Sequence, residues 1–237
     1  HFNHRAPIYY DSNDTNYYSN PAGTSKLREL TVNGHATNYA SSESWIVGAG
    51  QQTGHYGGDF TVNGDGNSVS WDEAPNLGNN PGRGKIWKTR NNDTANNDDG
   101  GWNKLIAGLD VNKSYMSVVY IRRASSSTNG TFYHGCQSNS TNTLNLSGSG
   151  NSNPYFGHFG IGNMDTNEWY VSVGIIQAAN DTNTTNWAVG GLWKLETGAR
   201  QINYTTYKMG ASGNGQQMHR TYLYYSTDPN AALDWYS

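Results

Sequence analysis

Three carboxylate pairs stand close enough in the sequence to be tested as catalytic dyads: Asp72 with Glu73, Asp98 with Asp99, and Asp165 with Glu168. Glycosidic hydrolysis needs two carboxyl groups about 5–5.5 Å apart for retention or about 6.5–9.5 Å for inversion, one with a raised pKa. Adjacent strand residues face opposite ways, which separates Asp72 from Glu73, and Asp98-Asp99 sits among Asn and Gly as turn acids do. Solvated loop acids are therefore the favoured reading, and no catalytic residue is assigned. His134 and Cys136 are two apart on an expected strand and share a face, the spacing of a thiol–imidazole pair. No cysteine-hydrolase signature surrounds them, so the expectation is a buried structural thiol. The seven histidines show no His-x-His spacing and the lone cysteine no Cys-x-x-Cys. In the stretch 91–101, Asp93, Asp98 and Asp99 supply oxygen ligands that would suit calcium; turn acids without an ion are favoured, and no other cofactor is expected. Gly148-x-Gly150 and Gly160-x-Gly162 lack the strand–glycine–helix setting of a phosphate loop.

Binding chemistry is better represented. Eight Trp and 17 Tyr give the chain an excess of flat, amphipathic rings, which can stack on sugar faces while Asn and Asp bond the hydroxyls. Aromatic residues on strands, such as Tyr120, Trp169 and Trp193, are expected in the core. Those in polar loops are the candidates for a glycan site: Trp102 after Asp98-Asp99-Gly100-Gly101, Tyr155 in Asn153-Pro154-Tyr155-Phe156, and Trp187 after Asn183-Thr184-Thr185-Asn186.

The elements that must position these rings are strands. Only 14% of the 237 residues are charged, Gly numbers 29, and Asn, Ser and Thr dominate the polar remainder, a mix that disfavours helices. Short strands are expected at 44–48, 59–62 and 68–71, and turn-rich sequence at 72–101 reads as one long loop. The segment 114–123 reads as a central strand covered on both faces. Residues 168–177 alternate most cleanly, with Trp169, Val171, Val173 and Ile175 on one face. Further strands are expected at 131–136, 143–146, 187–195, 201–209 and 217–226. Many strands without helical periodicity between them predict an antiparallel β-sandwich or jelly roll over residues 35–237. A net charge of -3 argues against nucleic acid or an anionic membrane as the main partner, and no apolar run approaches the roughly 20 residues of a membrane-spanning helix. One cysteine excludes an intrachain disulfide. Asn-x-Ser/Thr triplets at Asn129, Asn139, Asn180 and Asn203 are expected by chance at this composition.

Residues 5–34 differ in texture. Their apolar content is Ile8, the pairs Tyr9-Tyr10 and Tyr17-Tyr18, Leu27, Leu30 and Val32, spaced by Asn13-Asp14 and Asn20-Pro21-Ala22-Gly23. A buried Leu or Ile gains about 1.5–3 kcal/mol, whereas each ordered residue costs about 1–2 kcal/mol of backbone entropy, so this segment cannot order itself alone. Packing against identical copies around an axis removes the deficit.

The run from Ala6 to Tyr18, followed by Asn20-Pro21-Ala22-Gly23-Thr24-Ser25 and Leu27, resembles a segment of bacteriophage tail-fibre proteins. A looser similarity, from Gly82-Arg83-Gly84-Lys85 through Ala232-Leu233-Asp234-Trp235, is to distal lectin-like domains of marine, T4-like phage fibres. The resemblance implies an all-β protein: an intertwined, trimer-forming β segment over residues 1–34 and a distal, lectin-like sandwich over 35–237. It further implies a homotrimer in the virion, attached through its tail fibre to a bacterial surface polysaccharide or lipopolysaccharide and contacting other tail-fibre proteins. A polysaccharide depolymerase on the same scaffold and a purely structural fibre connector are the alternatives. Some related fibres shed a C-terminal chaperone after assembly, and the ending Asp234-Trp235-Tyr236-Ser237 carries none, so the expectation is that one was removed or never existed.

Overall fold

The computed structural model describes Tyr9–Tyr10, Tyr18–Ser19, residue 40, residues 45–47, and 60–237 apart from 65, 78–81 and 138. Strands β1 (Tyr9–Tyr10) and β2 (Tyr18–Ser19) pair antiparallel with Tyr10 opposite Tyr18. The other residues of the expected trimer-forming segment lie outside the described residues.

From Phe60 onward the chain is an all-β, two-sheet sandwich. Five strands form one sheet in the order β10 (Tyr155–Gly160), β8 (Thr131–Gln137), β15 (Gln217–Tyr224), β6 (Asp98–Ile106), β3 (Phe60–Val62). The larger sheet runs β13 (Arg200–Asn203), β12 (Gly191–Lys194), β11 (Trp169–Gln177), β7 (Tyr115–Arg123), β16 (Ala232–Tyr236), β5 (Arg83–Arg90), β4 (Asn67–Glu73). Beyond β12, strand β14 (Thr206–Met209) pairs β11 in parallel and carries β9 (Thr143–Asn145), the parallel exception to an antiparallel pattern. One 3-10 turn, Ile161–Asn163, is the helical element among the described residues.

Period-two alternation explains which rings face inward. Along β6 and β15, Trp102 and Lys104 stand opposite Thr221 and His219 on the inner face. Trp45, Phe60, Trp87 and Trp102 meet there with ring centroids 5.0–6.3 Å apart, mostly edge to face, in a core joining both sheets. Each fully buried large side chain contributes about 1.5–3 kcal/mol. Two sets of buried polar groups are paired across the core, whereas the indole N–H groups of Trp45, Trp102 and Trp235 meet no acceptor among the described residues. Asn67 accepts through Oδ1 from Trp87 Nε1 (3.0 Å), Thr89 Oγ1 (2.7 Å) and Gly101 N (2.9 Å), tying the larger sheet to β6. At the other end His134 on β8 lies between Ser117 Oγ (2.9 Å) and Ser172 Oγ (2.8 Å) of the facing sheet, and Ser172 also meets Tyr204 OH at 2.8 Å.

The expected long loop at 72–101 is overturned, because it contains β5 and the start of β6. The charges on β5 concealed it: Lys88 pairs with Asp72, and Arg90 donates to Asp234 at 2.6 Å, neutralised across the sheet instead of solvated in a loop. Strands β10 and β16 were likewise unexpected, the latter masked by Asp234, which is buried and bound also by Arg122 at 2.8 Å. Residues 45–47 form no strand, although Trp45 is buried. The expected strand at 201–209 divides into β13 and β14, and that at 187–195 begins only at Gly191. Strand β7 is buried along one face from Ser117 to Arg123; on the other Val118, Tyr120 and Arg122 are half-buried and Met116 is 39% exposed.

Candidate functional site

The three rings selected from the sequence go to three different places. Trp102 is a correction: it is 0% exposed on the inner face of β6, packed against Trp45, Phe60 and Trp87, and is core. The Asp98-Asp99-Gly100-Gly101 run preceding it is a bulged strand, not a turn. Gly100 pairs with Leu223 and Asp98 with Tyr224, leaving Asp99 as the extra residue. Glycines in strands mark such bulges, where an added Cβ at Gly100 would lie 2.3 Å from Thr89 Cγ2.

The same bulge separates the candidate calcium ligands. Asp98 is exposed, Asp99 is buried and accepts from Ser226 N at 2.8 Å, and Asp93 accepts from Ala95 N at 2.8 Å in a local turn. Among the described residues no group of three or more His, Cys, Asp or Glu is arranged to hold a metal. Burial, together with Asp93 and Asp98 and against the Ser226 N–H, raises the Asp99 carboxyl to about 6. That would suit a general acid, but the residue is only 3% exposed. Asp72 and Asp165 are ion-paired with Lys88 and Lys194, whose hydrogen bonds lower both carboxyls. Glu73 is 3.3 Å from Arg122. Cys136 is buried and its thiol pushed up by desolvation, as expected of a structural cysteine.

Tyr155 lies in a dense aromatic layer on the outer face of the five-stranded sheet. Two features assemble it. Along β15, Arg220, Tyr222 and Tyr224 alternate outward, opposite Gly135, Tyr133 and Thr131 of β8. In the pairing of β10 with β8, Tyr155 opposes Gly135 while Gly157 opposes His134, so Phe156 is an extra residue. That bulge brings Tyr155 and His158, three apart, to the same outer face. His158 then stacks on Tyr133 (5.6 Å, 14° between planes) and Tyr155 meets the same ring edge-on at 4.8 Å. Tyr222 stacks on Tyr224 at 5.1 Å, and Tyr225 completes the layer at 5.5 Å from Tyr224.

Arg220 is the fixed point of this face. Its guanidinium sits 3.9 Å from the Tyr155 centroid and 5.8 Å from that of Tyr222, and Nη2 donates to Asn153 Oδ1 at 2.8 Å and Pro154 O at 3.1 Å. Gly135 makes the approach feasible, since a Cβ there would fall 2.8 Å from Tyr155 Cδ1 and 3.0 Å from Arg220 Nε. Tyr222 OH donates to Asn103 Oδ1 and Tyr224 OH to Asn63 Oδ1 (3.2 Å). Burial raises the phenols of Tyr133, Tyr155, Tyr222 and Tyr224, with Arg220 opposing at Tyr155 and Tyr222, so all stay neutral. Exposure grades across the layer: Arg220 and Tyr222 are covered, Tyr133, Tyr155 and Tyr224 are half-buried, and His158 and Tyr225 are open to solvent. Tyr225 is 50% exposed and holds φ 62°, a left-handed conformation costly for a bulky side chain.

Trp187 lies elsewhere, in the loop before β12. It is half-buried, its backbone N–H donates to Thr206 Oγ1 (3.0 Å), and its indole N–H reaches the Gln177 amide oxygen at 2.7 Å once that amide is turned to satisfy both groups. With Asn186, Ala188, Gly190, Arg200, Asn203 and Tyr204 it lines a hollow of about 260 Å³. Assigning strand aromatics to the core passes over Tyr133, Tyr222, Tyr224 and Tyr225, and the sequence reading singles out neither Arg220 nor His158. The alternation Arg220-x-Tyr222-x-Tyr224 around inward Thr221 and Leu223 was the available signal.

No family model matches this chain, and neither does any curated protein or solved structure.

Proposed function

We propose that the chain is a distal receptor-binding domain of a phage tail fibre, which holds a virion to a bacterial surface glycan as a homotrimer. One observation carries the binding part: a graded layer of five tyrosines and His158 around a fixed arginine on one sheet face. Such a face offers flat rings for stacking on sugar C–H surfaces, and Asn103 and Asn153 at its margin add amide groups for hydroxyls. Neutral phenols on an open sheet face suit a weak site repeated on one particle. A millimolar site is worth only about -4.1 kcal/mol, yet linking several to one surface raises avidity by roughly 10²–10⁴.

The virion and trimer parts rest on the resemblance of residues 6–27 to fibre segments. They gain support from the outer face of the larger sheet, where Met116, Val118, Tyr120 and Val171 leave an apolar strip partly uncovered, as association would use. The test joins both parts. Sedimentation should give three chains per particle, and binding to host-derived polysaccharide should fall in Tyr155→Ala and Tyr224→Ala. A stable monomer overturns the assembly, undiminished binding in both variants overturns the site, and release of reducing ends from the polysaccharide favours the depolymerase reading.

A further inference from the structure

We propose that the hollow beside Trp187 is a second, separate sugar site, built for a single ring that carries a carboxylate, a uronic acid. The inference rests on reading the chain as a glycan binder, but it concerns another sheet and other residues.

Its volume, about 260 Å³, falls below the roughly 300–1,000 Å³ of drug-sized pockets and so admits one ring, not an oligomer. Trp187 supplies a flat wall, pinned at its backbone by Thr206 and at its indole by Gln177. Tyr204 closes the floor of the hollow from the core, where it is 2% exposed and its hydroxyl meets Ser172. Asn186 is held through Oδ1 by Thr206 N at 2.8 Å, which leaves its amide N–H groups for a ligand.

Arg200 alone among the lining residues is charged. One of its nitrogens donates to Ala188 O, and its guanidinium lies 5.3 Å from the Trp193 centroid, so the head is oriented before any ligand arrives. Its remaining N–H groups form the fork that matches a carboxylate. A neutral sugar could use the indole and the amides, whereas only an acidic one would also use Arg200. The chain as a whole is negative, so the preference comes from this one fixed cation and not from a long-range field.

The experiment titrates the full chain with a methyl glucuronide and the matching methyl glucoside, read by saturation-transfer NMR and tryptophan fluorescence. The glucuronide should bind with millimolar affinity and the glucoside about tenfold more weakly, the scale of a hydrogen bond to a charged group. Arg200→Gln, at an exposed position, should abolish the difference, and Trp187→Ala should weaken both ligands. Tyr155→Ala and Tyr224→Ala should leave the glucuronide-over-glucoside preference unchanged, which separates this site from the aromatic face. An acidic polysaccharide should compete with the glucuronide and its carboxyl-reduced form should not; competition by neither assigns the site to free uronic acids. Equal binding of the two methyl glycosides, binding of neither, or an unaltered preference in Arg200→Gln overturns the proposal.

Discussion

The guanidinium of Arg220 lies 3.9 Å from the centre of the Tyr155 ring, on a sheet face where Gly135 leaves room for both. A cation on one face of the ring fixes its plane, leaving the edge and the half-exposed margin to a ligand. The arrangement needs a planar, forked head that also reaches Asn153 and Pro154, which a lysine cannot reproduce. Tyr155→Phe should therefore keep glycan binding within about twofold of the parent, and Tyr155→Ala should lower it about tenfold, the upper end of an aromatic contact. Arg220→Lys should reduce binding and also cost about 1–3 kcal/mol, because the charge-assisted bonds of Nη2 to Asn153 Oδ1 and Pro154 O are lost. Equilibrium binding alongside denaturant midpoints checks both.

How this face was hidden in the sequence is a physical matter. The strand alternation of 168–177 and 114–123 was legible because hydrophobic spacing alone determines it, and β11 and β7 run as expected. The polar surroundings of Tyr155 read as a loop, whereas the residue opens strand β10 and is half-buried there. His158 was out of reach, since strict alternation sets it opposite to Tyr155 and only the bulge at Phe156 reverses that. Trp102 was misplaced as Tyr155 was, two strand glycines being read as a turn. Asp234 and its arginines were lost because local sequence does not record that Arg90 and Arg122, about 110 to 145 residues away, neutralise it.

Tyr225 couples stability to binding. Its φ of 62° costs a non-glycine residue about 1–2 kcal/mol, and its ring is half exposed, so little burial offsets the strain. Asn tolerates this conformation. Tyr225→Asn should raise unfolding stability by about 0.5–1 kcal/mol while weakening glycan binding, the pattern of strain retained for contact. A variant that is both less stable and fully active would show that the ring serves packing instead.

Acid should destabilise the sandwich in a window set by its buried histidines. Burial, then the neighbouring His219, holds the His134 imidazole well below its ordinary 6.5, while burial and Lys104 lower His219 to about 3. Above pH 6.5 both are neutral whether the chain is folded or not. Below it the unfolded chain takes up two protons that the folded one refuses, so stability falls with pH by about 1.4 kcal/mol per unit for each proton difference. Asp99 acts in the opposite direction. Its folded value of about 6 exceeds the ordinary 3.8, so between these values the folded state holds the extra proton and gains stability as pH falls, cancelling one histidine. Asp72, lowered chiefly by Lys88, adds a further loss as pH falls below 3.8 through its folded value. Denaturant midpoints at pH 7.5, 6.5, 5.5 and 4.5 should thus be level at first and then decline. Asp99→Asn removes the offset, so its decline between pH 6 and 4 should be about twice as steep as the parent's. A midpoint constant down to pH 4.5, or identical slopes in the two proteins, would show that these buried groups exchange protons as freely folded as unfolded.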